Sequence, residues 1–148
     1  MNPTWAKRNL LLKEFNIEGT TVLDIGCGDK SILQYLNFKS YLGIDQSDAA
    51  DIVMDFNKES PNLTDKFEVG LVLGVLEYVD DPGQLIKSVK HNCDRMIILV
   101  LPKKVPKYHH GWQRTYNSKS FKEFLNRHFT NVTVHARGVY LIADVSAN

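Results

Sequence analysis

A chain of 148 residues, 43% apolar and 24% charged, has the size and composition of one globular domain, which excludes a disordered chain. A formal net charge of +1 excludes a strong global field toward nucleic acid or membrane. With only Cys27 and Cys93, a disulfide scaffold or structural zinc site is excluded, and no apolar run is long enough to span a bilayer. The first residues lack the apolar stretch of a signal peptide. Residues 1–148 are therefore expected to form a single cytoplasmic domain without a metal.

Local charge is less even. Between Asp24 and Asp81 twelve acids stand against four bases, whereas between Lys103 and Arg127 seven bases stand against Glu123 alone. Two solvated faces of opposite sign account for this, and so does a basic rim that receives an anionic substrate.

In chain order, residues 5–15, within a leading segment 1–18, read as a helix lying across one edge of a sheet. Residues 21–25 form a short apolar strand that runs into Gly26-Cys27-Gly28. Residues 31–36 follow with Ile32, Leu33 and Leu36 at helical spacing. Strands are expected at 41–45, 51–55 and 67–73. Asp81-Pro82 opens the next helix, Asp as N-cap and Pro at the first helical position, with Leu85, Ile86 and Val89 as its buried stripe. Residues 95–101 form an apolar strand stopped by Pro102. Residues 103–116 carry no strand or helix pattern, which suits a substrate loop. Ser120-Phe121-Lys122-Glu123 reads as a capping box, and Phe121, Phe124, Leu125 and His128 share one face of the helix it opens. Residues 131–136 and 139–145 are strands joined at Arg137-Gly138 as a hairpin. The expected fold is α/β: a Rossmann-like, mostly parallel seven-stranded sheet with helices on both faces and a C-terminal antiparallel hairpin.

Such sheets bind ligands at the carboxyl ends of their strands, where strand order reverses. After the first strand, Gly26 and Gly28 permit a tight turn and a close ligand. After the second comes Asp45, placed to accept hydrogen bonds from ribose hydroxyls. After the third come Asp55 and Phe56, an acceptor beside a ring, suited to the exocyclic amine of a flat base. Together these describe a nucleoside-shaped slot. A pyrophosphate loop reads GxGxxG with no acid on the strand before it, but here Ser31 stands at the third glycine position and Asp24 stands two residues before Gly26. A carboxylate there repels pyrophosphate and attracts an ammonium group. A ligand with ribose, adenine and a cationic amino-acid tail but no phosphate is S-adenosylmethionine.

Val22-Leu23-Asp24-Ile25-Gly26-Cys27-Gly28 resembles the first motif of the class I S-adenosylmethionine-dependent methyltransferases. Gly43-Ile44-Asp45 resembles their second motif and Met54-Asp55-Phe56 their third. The segment from Gly74 to Pro82 resembles the stretch after their fourth strand. The resemblance is nearest to the small-molecule branch typified by ubiquinone-pathway and methionine-linked enzymes. It implies that Asp24, Gly26 and Gly28 hold the methionine end, that Asp45 chelates the ribose, and that Asp55 and Phe56 hold the adenine. Leu73, Gly74 and Leu76 would line the floor near the sulfonium. Lys30 departs from the third small residue of the first motif. Tyr78 stands where the branch often has His after Glu, and Glu68 and Gly70 are also unusual.

The activity implied is in-line transfer of a methyl group to an O or N nucleophile of a small acceptor, an anionic one if the basic rim receives it. Positioning supplies most of the acceleration, and a base matters only for a hydroxyl or a protonated amine. Candidate catalytic residues are His109, His110 and Tyr116, and candidate acceptor contacts are Trp112 and Arg114. Trp112 and Tyr116 could equally be packing residues, whereas adjacent histidines make a poor metal pair. The chain carries little beyond the domain itself, so residues 103–116 are expected to close the site, in place of an open site or a lid from a homodimer mate or partner subunit. A non-catalytic cofactor-binding regulatory or scaffolding subunit and a dinucleotide-binding module are the competing readings.

Overall fold

Strands rich in Val, Ile and Leu along their whole length require cover on both faces, and they receive it. The computed structural model describes residues 3–102 and 111–147. Seven strands, β1 (Thr21–Ile25), β2 (Ser40–Asp45), β3 (Ile52–Val53), β4 (Phe67–Leu73), β5 (Cys93–Val100), β6 (Asn131–Arg137) and β7 (Tyr140–Ser146), form one sheet in the order β3-β2-β1-β4-β5-β7-β6. The first five pair in parallel. The hairpin β6–β7 then adds an antiparallel edge, Leu99 pairing with Ile142 and Val134 with Ala143.

Alternation along each strand divides the core into two layers. Leu23, Ile25, Val72, Ile98 and Val100 face α2 (Pro82–Val89) and α3 (Ser118–Asn126), which contribute Leu85, Ile86, Val89, Phe121, Phe124 and Leu125. Val22, Leu71, Leu73, Ile97 and Leu99 face the other way. They are covered by α1 (Pro3–Leu11) and the 3-10 turn after it, through Leu12 and Phe15, and by Ile17, Ile32 and Leu36. No helix among the described residues is long and apolar enough to cross a membrane.

The start of α2 follows the sequence: Asp81 accepts from the backbone N–H of Gln84 at 3.0 Å, and Pro82 opens the helix. The start of α3 differs. Asn117, not Ser120, is the N-cap, and Ser120 sits at the third helical position. Each side chain accepts from the other's backbone N–H, at 2.8 and 3.0 Å. His128 lies in the turn beyond α3 and packs on Phe124 at 4.9 Å between ring centroids.

Two other expected elements are shorter than their apolar patterns. Residues 31–36 yield only a 3-10 turn, Ser31–Gln34, because the crossover from β1 to β2 spends its first residues on the glycine loop. Lys30 closes that loop in the left-handed region, at φ 60°. β3 is two residues long because both flanks are tied elsewhere. The Asp51 carboxylate takes the Gly43 N–H at 2.8 Å, and that of Asp55 takes the Asn57 N–H at 2.9 Å, starting a turn.

Candidate active site

Strand order reverses between β1 and β4, and there the carboxyl ends of β1 to β5 open on a cavity of about 690 Å³. Gly26, Gly28, Asp45, Asp55, Phe56, Leu73, Gly74 and Trp112, all singled out from the sequence, line it together. The turn after β1 is tight for a packing reason. Gly26 has φ 80°, and a Cβ there would stand 2.3 Å from Cγ2 of Val75. Gly28 has φ 55° and lies under the Trp5 ring, 3.4 Å from where its Cβ would be. The Asp45 carboxylate accepts from the Ser47 N–H at 2.9 Å through Oδ2. Cys27 also lines the cavity, and burial raises its thiol to about 12, so it stays neutral.

Four of the sequence assignments fall elsewhere. Asp24 is 3% exposed and does not line the cavity; its carboxylate accepts from the Tyr41 hydroxyl at 2.5 Å. Burial raises its pKa to about 6, opposed by the Tyr41 hydrogen bond and the nearby Arg8 charge. Leu76 is fully buried in the layer under α2 and α3, because the chain turns inward after Gly74. Tyr116 is in the same layer, its ring 5.8 Å from that of Phe121 and 5.9 Å from that of Phe124, so it is a core residue and not a catalytic one. Arg114 does not line the cavity either. Its guanidinium donates to the carbonyls of Leu76 (2.8 Å), Val79 and Asp80 (3.0 Å), which turns it to the backbone and not to an acceptor in the cavity. His109 and His110 lie outside the described residues.

Lys30 points away from the cavity. Its Nζ pairs with Asp51 at 2.6 Å, tying the glycine loop to the segment before β3. Tyr78 lines the cavity and meets Trp112 edge to face, ring centroids 6.0 Å apart. Among the described residues no cluster of His, Cys, Asp and Glu could hold a metal ion.

No family model matches the sequence, and no curated protein matches it. Solved structures do match. A Thermotoga maritima S-adenosylmethionine-dependent methyltransferase, described as a possible histamine N-methyltransferase, is similar with a TM-score of 0.75 and 12% identity, over 95% of this chain and 88% of its own. The fold is that of such methyltransferases. DhpI, solved in complex with S-adenosylhomocysteine, is similar at 0.72 and 16% identity, over 96% of this chain and 84% of its own. A Burkholderia thailandensis 1,6-didemethyltoxoflavin-N1-methyltransferase, solved with its substrate and S-adenosylhomocysteine, follows at 0.69 and 16%, over 97% and 80%.

Sequence reasoning missed four lining residues that carry charge or a large ring: Trp5, Arg8, Glu77 and Tyr140. Trp5 and Arg8 arrive from α1, which the sequence placed only at a sheet edge; nothing local marks them as site residues. Glu77 had a signal: it follows the fourth strand as Asp45 and Asp55 follow the second and third. It is 1% exposed, accepts from the Leu101 N–H at 2.9 Å, and has its pKa raised to about 7 by burial.

Proposed function

We propose that the chain is an S-adenosylmethionine-dependent methyltransferase acting on a nitrogen or oxygen nucleophile of a small acceptor. One observation carries the reading: Gly26 and Gly28 after β1, Asp45 after β2, Asp55 and Phe56 after β3, and Gly74 after β4 converge on a single cavity. In this reading Asp45 accepts the ribose hydroxyls, and Asp55 and Phe56 take the adenine. The methionine carboxylate goes to Arg8, the single cationic side chain lining the cavity among the described residues. Asp24 acts on that end from beneath, as a buried charge partner of Arg8. When bound, the cofactor supplies an already activated methyl group, so the protein has mainly to hold the acceptor in line with it.

Two of the similar structures are described as small-molecule N-methyltransferases, one as a possible histamine N-methyltransferase, which supports a small acceptor. The ubiquinone- and methionine-pathway branch is the finer reading suggested by the sequence motifs. Residues 103–116, including His109 and His110, are proposed to complete the acceptor side of the single domain 1–148, where Gly111, Trp112 and Gln113 already line the cavity.

Titration calorimetry tests the reading. S-adenosylhomocysteine should bind and NADH should not, and Asp45→Ala should weaken that binding by about 1–3 kcal/mol through loss of charged hydrogen bonds. Binding of NADH alone, or an Asp45→Ala variant with undiminished affinity, would overturn it.

A further inference from the structure

The fold uses only part of Glu77. Its Oε2 accepts from the Leu101 N–H at 2.9 Å, and its backbone carbonyl accepts from the Gln113 N–H at 2.6 Å. Its Oε1 is buried and has no hydrogen-bond partner among the described residues. A carboxylate oxygen left so carries a desolvation penalty that a proton taken up, or a donor placed against it, removes. Among the described residues, the charged groups around it do not supply that donor. Arg8, from α1, directs its guanidinium to the Leu73 carbonyl and the Asn9 side chain, and Arg114 directs its own to three carbonyls. Tyr116 is the other titratable group that senses Glu77, from the segment entering α3, and Tyr78 and Tyr140 line the same cavity.

Building on the methyltransferase reading, we infer that the missing donor is the acceptor: Glu77 Oε1 receives the N–H of an amine whose frame packs among Tyr78, Trp112 and Tyr140. A cationic nitrogen satisfies the carboxylate, and aromatic faces around it add cation–π attraction. An anionic acceptor would meet Glu77 as a like charge, and Arg114, turned to the carbonyls of Leu76 and Asp80, does not line the cavity to offset it. Glu77 also takes the proton that the nitrogen sheds before reacting. One N–H bond breaks, an O–H bond forms on Oε1, and the electron pair stays on nitrogen, available for the methyl group. The proton then passes from Glu77 to solvent. A pKa lifted to about 7 by burial suits a group that must accept and then release a proton near neutrality.

The test uses three probes of one frame, phenethylamine, phenethyl alcohol and hydrocinnamate, titrated calorimetrically into the full chain saturated with S-adenosylhomocysteine. The amine should bind at least about tenfold more tightly than hydrocinnamate, and Glu77→Gln should abolish that preference while leaving S-adenosylhomocysteine affinity unchanged. Independently, the parent-minus-variant infrared difference should contain a protonated-carboxyl band that titrates near neutral pH. Should Glu77→Gln not fold, Glu77→Asp, which keeps the charge but draws it back, should reduce the preference. An amine affinity unchanged by the substitution, hydrocinnamate binding as tightly as the amine, or no amine binding would overturn the inference. If S-adenosylhomocysteine itself does not bind, the methyltransferase reading fails instead, and the infrared band and the probes without cofactor still decide the role of Glu77.

Discussion

Arg8 is held loosely for a half-buried guanidinium. Its contacts to the Leu73 carbonyl and to Asn9 are all 3.4 Å, at the long end of hydrogen bonding, and its Cζ lies 5.7 Å from the Trp5 ring centroid. Burial lowers its pKa, opposed chiefly by Asp24, so the ion is retained at a desolvation cost. Such a charge, facing a cavity, is arranged to be completed by an anion, and a ligand carboxylate does that through two parallel N–H bonds. Arg8→Met keeps the stem that packs on Trp5 and deletes the fork. S-adenosylhomocysteine affinity should then fall by about 1.5–3 kcal/mol, whereas methylthioadenosine, which lacks the amino-acid tail, should bind as before. Equal losses for both ligands would mean that Arg8 shapes the cavity without touching the tail.

At the scale of elements, the segment between β4 and α2 is the part of the site most dependent on side chains from afar. Its carbonyls at Leu76, Val79 and Asp80 turn toward Arg114, and the Glu77 carbonyl takes the Gln113 N–H. Residues 111–117 thus act as a brace that holds Glu77 and Tyr78 at the cavity. Arg114→Ala should lower stability by about 1.5–3 kcal/mol, since three carbonyls lose a charged donor, with the change read as a shift in urea midpoint at constant slope. The strands, the N-cap of α2 and the acids at the ends of β2 and β3 were legible in the sequence because period, Asp-Pro and strand-end position are local signals. The brace was not. Arg114 in an unpatterned basic stretch looks the same whether it binds a substrate or three carbonyls, and only the folded path of 74–81 decides. Tyr116 misled for a similar reason: a polar-tipped ring beside histidines reads as a site residue, but its spacing from Phe121 and Phe124 places it in the core. The glycine loop was half legible, since φ at Gly26 follows from the motif but its contact with Val75 does not.

Over the whole molecule, two buried carboxyls couple folding to pH in one direction. Asp24 rises from 3.8 to about 6 and Glu77 from 4.5 to about 7, both because burial penalises the charged form. Between roughly pH 4 and 7 the native state therefore holds protons that the unfolded chain has released, so stability falls as pH rises through this window, by about 3 kcal/mol for each group at most. His128 opposes this: burial lowers its pKa, so its native form sheds a proton that the unfolded chain keeps, and stability gains as pH rises toward 6.5. Asp51 is depressed by Lys30, and its contribution is lost only as pH falls below the ordinary carboxylate range. The parent profile sums these, but a single substitution isolates one. Asp24→Asn stays neutral throughout and cannot pay the ionisation cost, so relative to the parent it should gain stability from about pH 4 to about pH 6 and hold that gain above, approaching 3 kcal/mol in thermal unfolding. Parallel profiles for parent and variant would mean that the Tyr41 hydroxyl and Arg8 together solvate the ionised Asp24 as well as water does. In that case the pair Asp24–Arg8 would be a preformed charge partnership under the glycine loop, and Arg8→Met would be expected to destabilise the fold as well as the complex.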